Sequence, residues 1–319
     1  MPAWPGWLPV LIGGAGLVIG LVLTSAAAAA PEVLSIDAVV GLLAMLGGAL
    51  LFTGGLLYLA IRSIIVRRHL PPSRYRGPSI LVMLGLALVL TSIASLFAVT
   101  DAIAIFEGQG RPSLAGSLIL LTAAQLSLLL MVGLLVVLPR ALVGAPSLGG
   151  PDALRGIGLG LGFGAVGWLG SSAMLVAIAA LLGLLGIAPP TQPAEQALEI
   201  VDPVVLLLAL VLVAPVAEET FYRGVAYTAW LRERGGRFAL IGSSALFAVS
   251  HFAPAAGTPS ALAAAGLTLL PFFGLGLALA WVYSLTRSLL APIVMHATVN
   301  GISVALGLLV RFDVIRLPT

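Results

Sequence analysis

Cysteine and lysine are both missing from this 319-residue chain, and charge of either sign is scarce, with 8% of residues Asp, Glu, Lys or Arg. Without cysteine there is no disulfide, no thiolate metal site and no cysteine nucleophile. A charged fraction that low, against about 25% in soluble domains, leaves too few groups to solvate a globular surface. The 15 basic residues are all arginine, and apart from Arg223 they fall in short stretches between apolar runs. They form no patch, so nucleic-acid binding is excluded as a function. Apolar side chains fill the space that charge leaves, at 60% of the chain. The environment that fits this composition is a lipid bilayer.

The apolar residues group into about nine runs, each near the roughly 20 residues that a helix needs to cross the hydrocarbon core. They lie at 8–28, 38–61, 79–100, 113–138, 156–185, 203–230, 238–252, 261–283 and 289–310. The expected fold is therefore all-α, a polytopic membrane helix bundle of about nine spans with a C-terminal catalytic helical core. The seventh run is short, and Pro215 predicts a break in the sixth. Stretches rich in Pro, Gly and small residues at 138–150 and 186–202 divide the chain. The division is into N-terminal transmembrane helices (1–155), a linking span and outer loop (156–202), a core (203–310) and a tail (311–319). The glycines of GIGLGLGFGAVG, 156–167, read as a close helix-packing face. No strand precedes them, so their GxGxxG spacing says nothing of dinucleotides.

The first run ends in SAAAAAPE, as a signal peptide can, but the first basic residue is Arg62. Lacking a basic n-region, it is read as a retained span. With a cytoplasmic N-terminus, the inner loops collect Arg62, Arg67, Arg68, Arg74, Arg76, Arg140, Arg155, Arg232, Arg234, Arg237 and Arg287. The outer side holds Arg111, Arg311 and Arg316, and eleven against three is a positive-inside bias. The expectation is a multi-pass protein of the cell membrane with its N-terminus in the cytoplasm. Arginine in place of all lysine, with abundant Ala, Gly and Leu, points to a GC-rich prokaryotic genome.

One run is chemically unlike the rest. APVAEETFYRGVAYTAW, 214–230, sets Glu218, Glu219 and Arg223 inside a span. Ionisable groups at that depth cost roughly 2.5–3.5 kcal/mol each on insertion scales, so the three need mutual pairing or a water-filled cavity. Positions four apart share a helical face, so Glu219 and Arg223 form an i, i+4 ion pair with a structural task. Glu218 is left without a local cation, a state that suits a general base working near neutral pH. The competing reading is a polar knot that only locks helices together; intramembrane acids more often mark function. Of the three histidines, His69 lies in a basic loop, while His251 and His296 lie within apolar runs. Phe247 and His251 are four apart in FAVSH, as are His296 and Asn300 in HATVN, so each pair occupies one helical face.

Glu218, Glu219 and Arg223 in EETFYR, Phe247 and His251 in FAVSH, and His296 and Asn300 in HATVN resemble the EExxxR, FxxxH and HxxxN motifs of one family. This is the CAAX prenyl protease and bacteriocin-processing (Abi) family of intramembrane proteases. The resemblance covers about 100 residues, roughly 204–306, with the motifs in the family's order, and leaves the first five spans uncovered. It implies peptide-bond hydrolysis within the membrane, on membrane-associated peptides or proteins. It also implies roles: Glu218 as the base activating water with His251, His296 and Asn300 orienting or stabilising the oxyanion, Glu219 and Arg223 holding the helix, and Phe247 supporting.

The residue types agree with that chemistry, since amide hydrolysis needs an activated water and a donor aimed at the developing oxyanion. Two site chemistries share the residues. Glu218, His251 and His296 could bind zinc with water as fourth ligand, or Glu218 and His251 could activate water unaided. The metal-free site is preferred, because zinc would turn Glu218 into a ligand while Glu219 faces elsewhere. Non-enzymatic readings compete: a membrane peptide-binding or immunity protein, or a proton- or cation-coupled transporter. Paired inverted halves with broken helices would mark the last, and none are apparent. From Arg232 to Glu218 and from Arg237 to His251 is 14 residues, and from Arg287 to His296 is 9. At about 1.5 Å per residue the three polar groups lie some 14–21 Å from one side, which predicts a water-filled cavity open to the cytoplasm.

Overall fold

The computed structural model of the chain describes residues 4–28, 36–101, 112–142, 153–187, 198, 200–252 and 266–315. Among the described residues the fold is all helical, without a strand. We label the helices α1 (Trp4–Ala28), α2 (Ile36–Arg67), α3 (Ile80–Asp101), α4 (Leu114–Val137), α5 (Ala153–Leu184), α6 (Pro203–Arg234), α7 (Gly236–Ser250), α8 (Leu269–Thr286) and α9 (Leu290–Arg311). Seven of these are long and apolar enough to cross a membrane, and α1 and α7 supply shorter apolar stretches. The all-α expectation is borne out: among the described residues there are about nine helices, seven of them candidate spans and two shorter and apolar. Most of the break segments, 143–152 and 188–197, lie outside the described residues, as does the expected start of the eighth run at Ala261. The described part of that run is helical from Leu269.

The chain divides into two compact units. In the first, Met1–Leu90 with Met131–Ala141, α1 and α2 approach so closely that a Cβ on Gly48 would lie 2.7 Å from the Leu17 nitrogen. Tyr75 is buried and sets its hydroxyl 3.4 Å from the Met83 sulfur.

The second unit, Thr91–Leu130 with Leu142–Thr319, holds α5 to α9. Here α6 is the central element: 44% of its apolar window is enclosed by protein, against 11% for α5. Asp202 caps it by accepting from the Val204 N–H at 2.8 Å, and Pro203 occupies the first turn, where a missing N–H is harmless. The helix then changes register twice. It is π-helical over Leu207–Val213, α-helical over Ala214–Glu219 and π-helical again over Thr220–Tyr227. The break expected at Pro215 takes this form, because the proline ring removes an N–H from the ladder just where the first π stretch ends.

Gly235, at φ 85°, turns the chain from α6 into α7, a conformation open to glycine without a Cβ penalty. A second short turn, through Arg287, joins α8 to α9. Near these turns Tyr227, Ala239, Ala280, Tyr283, Leu289 and Ile293 form one core cluster drawn from α6 to α9 and the second turn. The Thr228 and Tyr283 hydroxyls meet within it at 2.9 Å. On the other side of α9 the glycines of α5 sort as a packing face should. A Cβ on Gly160 would lie 2.7 Å from the Ala291 oxygen, and one on Gly164 2.6 Å from the Thr298 Cβ, whereas Gly158 and Gly162 face open space. Small residues four apart let α5 lie against α9.

Candidate active site

Glu219 lies at the seam between the α and the second π stretch of α6. Its Oε1 accepts a hydrogen bond from Arg223 Nη1 at 3.1 Å and another from His296 Nδ1 at 2.9 Å. Arg223 Nη2 donates to the Gly276 carbonyl at 3.1 Å, and the guanidinium lies 4.8 Å from the centre of the Phe247 ring. One charged cluster therefore ties α6 to α7, α8 and α9. Its side chains are sealed, at 0% exposure for Glu219 and Arg223 and 4% for His296. Charges so enclosed persist only when paired and hydrogen-bonded.

Glu218 is turned about 100° around the helix from Glu219. Among the described residues its Oε2 has no hydrogen-bond partner. The nearest group of opposite character is His251 Nε2, 3.8 Å away, too far for a direct bond. Both side chains keep some exposure, 11% for Glu218 and 27% for His251.

His251 stands at the C-cap of α7. Its Nδ1 lies 2.8 Å from the Phe247 carbonyl, which can only accept, so Nδ1 carries a proton; in the neutral tautomer that this bond selects, the lone pair sits on Nε2, the ring atom 3.8 Å from Glu218. Phe247 and Phe272 both pack on the ring with centroids 4.5 Å from it, Phe247 tilted at 45° and Phe272 in a stack at 21°. The i, i+4 spacing of Phe247 and His251 thus does two things: it gives the ring an aromatic neighbour and it fixes the tautomer.

His296 and Asn300 both point from α9 into contacts with α6, at different heights. His296 meets Glu219, while the Asn300 amide donates to the Leu210 carbonyl at 2.8 Å. His69 is exposed beside Arg68, whose Nε lies 3.1 Å from it. Several contributors carried no signal in the motifs. Phe272 and Gly276 sit four apart on α8, one stacking on His251 and the other supplying a carbonyl to Arg223. Tyr222, four residues after Glu218, is buried edge-on against Phe247 at 5.4 Å. Its spacing from Glu218 is the one sequence cue that could have marked it.

No three His, Asp or Glu side chains among the described residues are grouped so as to hold a metal ion. Of the alternative zinc set Glu218, His251 and His296, the first two stand as a pair and the third gives Nδ1 to Glu219. A carboxylate on Nδ1 also suits an imidazole that binds a metal through Nε2, so these residues are compatible with either site chemistry; no chemical step below passes through a metal.

Neither a curated protein nor a solved structure matches the chain. Residues 200–302, which contain all three motifs and every side chain of both glutamate clusters, match the family model described as Type II CAAX prenyl endopeptidase Rce1-like. The resemblance that the motifs carry is thereby borne out over the segment that builds the site: residues 200–302 are similar to the CAAX protease family, within a multi-pass membrane protein.

Proposed function

We propose that α6 to α9 form an intramembrane endopeptidase that hydrolyses a peptide bond of membrane-associated peptides or proteins by water activated between Glu218 and His251. The observation that carries this reading is the 3.8 Å gap between two acceptors, Glu218 Oε2 and the Nε2 lone pair of His251. A water sitting off the line between them, about 2.8 Å from each, donates one hydrogen to each and turns its own lone pair outward. As that lone pair attacks the scissile carbonyl carbon, Glu218 takes the water proton and a C–O bond forms. Collapse of the oxyanion breaks the C–N bond, and the proton passes from Glu218 to the leaving nitrogen. The products are an amine and a carboxylic acid, which gives up the second water proton to solvent and leaves as the carboxylate.

His296 is the candidate donor to the oxyanion. Glu219 holds its Nδ1, so Nε2 is the ring atom left for substrate, and it donates to the oxyanion in the form in which both ring nitrogens carry a proton. The Glu219–Arg223 pair keeps this imidazole and the α6 backbone in place and takes no proton in the cycle. The reaction needs no metal in this scheme. The arginine distribution supports a cytoplasmic N-terminus and a site that opens to the cytoplasm, in the membrane of a prokaryotic cell.

The test is cleavage by the purified protein in lipid nanodiscs, wild type beside Glu218→Gln, of a library of membrane peptides that includes prenylated C-terminal tails. Products are read by mass spectrometry. Discrete fragments from wild type alone support the reading. A wild-type protein that binds peptides but releases no fragment would make it a binding protein instead.

A further inference from the structure

We propose that Asn300 is a positioning residue, whose amide replaces a backbone hydrogen bond that Pro215 deletes from α6 and so sets the angle at which Glu218 is presented. The HxxxN resemblance places Asn300 with His296 at the oxyanion; the backbone of α6 points to a different task. In the first π stretch the Ala214 N–H donates to the Ala209 carbonyl, five residues back, and so passes over Leu210. The next residue, the one that a continued π register would pair with Leu210, is Pro215, which has no N–H. The Leu210 carbonyl is thus deprived of both donors that its own helix could offer. In a bilayer no water replaces them cheaply. Asn300 Nδ2, 90 residues away on α9, supplies the bond at 2.8 Å.

The position of this bond gives it leverage on the site. Helix α9 grips α6 at two heights, Asn300 on Leu210 and His296 on Glu219, with Pro215 between them and Glu218 beside the upper grip. If Asn300 lets go, the simplest repair is for the Ala214 N–H to return to the Leu210 carbonyl. That tightens the π stretch toward α register and swings the residues beyond it about the helix axis, since one residue corresponds to about 100° of rotation. Glu218 would then no longer face His251 across the gap. In this role Asn300 acts on the site through Leu210.

The turnover consequence rests on the hydrolytic reading; the backbone consequence does not. The experiment is a four-protein cycle in nanodiscs: wild type, Asn300→Ala, Pro215→Ala and the double variant. One readout is kcat and KM on a peptide that wild type cleaves, and the other is hydrogen exchange of residues 207–219. Restoring an N–H at position 215, or letting α register resume, gives Leu210 a backbone donor and makes Asn300 dispensable. We expect Asn300→Ala to lower kcat about 100-fold with little change in KM, as a displaced catalytic group does, and to speed exchange over 207–219. The double variant should match Pro215→Ala alone within about twofold in both readouts.

Asn300→Asp, which keeps the shape and removes the donor, should behave as Asn300→Ala, and Pro215→Ser stands in should Pro215→Ala fail to fold. A double variant as inactive as Asn300→Ala beside an active Pro215→Ala would overturn the proposal and return Asn300 to the oxyanion. Unchanged exchange in Asn300→Ala would overturn it as well. Should wild type cleave nothing, the hydrolytic reading fails and the exchange cycle still decides the role of Asn300.

Discussion

Glu219 Oε1 takes two hydrogen bonds, from Arg223 at 3.1 Å and His296 at 2.9 Å, while Glu218 Oε2, one residue away, takes none and looks at His251 across 3.8 Å. The first carboxylate is sealed and the second keeps 11% of its side chain open. Two adjacent residues of one type, in one helix, thus have opposite electrostatic surroundings. The difference follows from which face each presents: Glu219 looks toward the junction of four helices, where Arg223 and His296 pair its Oε1 and, among the described residues, only Oε2 stays without a partner, and Glu218 toward His251, where no direct hydrogen bond forms. Arg223 makes its direct ion pair with Glu219.

The sharpest way to break this contrast is to remove the other half of the gap. His251→Ala should lower turnover by about 10²–10⁴-fold, the range for losing a positioned acid–base group, with the same melting temperature as wild type. A melting temperature that falls in step with turnover would make His251 structural and erase the difference between the two clusters. Next in size is Arg223→Ala, which leaves Glu219 enclosed without its cation. It should cost on the order of 3–5 kcal/mol of stability, read as lost yield and early thermal unfolding in detergent, while the surviving folded fraction keeps measurable turnover.

Phe272→Ala probes the packing of the open half alone. Losing an aromatic stack of about 0.5–1.5 kcal/mol on His251 should slow turnover roughly 2- to 10-fold without moving stability by more than the loss of one side chain. The smallest expected effect is none: a zinc chelator should leave turnover unchanged, with substoichiometric metal by elemental analysis. Chelator inhibition reversed by zinc would mean that the gap between Glu218 and His251 is closed by a cation.

The division into spans was legible because lipid demands the same thing of every crossing helix, a run of apolar residues of fixed length, and α1 to α9 fall where those runs lie. Contacts within one helix were legible for a similar reason. Glu219 and Arg223 meet one turn apart, and so do Phe247 and His251, because 3.6-residue periodicity puts them there. The glycines of 156–167 were legible as a packing face, and Gly160 and Gly164, four apart, are the ones that meet α9. Contacts between helices were not legible. Nothing in spacing says that His296 will reach Glu219 across 77 positions or that Asn300 will reach Leu210 across 90. These depend on how α9 is rotated and shifted against α6, which packing decides. The π stretches were hidden too, since Pro215 announces a break without saying which register absorbs it.

The measurement that bears most directly on the division between the two carboxylates is turnover per folded molecule for Glu218→Gln and Glu219→Gln, with folded protein quantified by thermal unfolding in the same nanodisc preparation. The account predicts that Glu218→Gln is folded like wild type and makes no detectable product, whereas Glu219→Gln is poorly folded but cleaves in proportion to what folds. Product from a well-folded Glu218→Gln, or a well-folded and inactive Glu219→Gln, would contradict it.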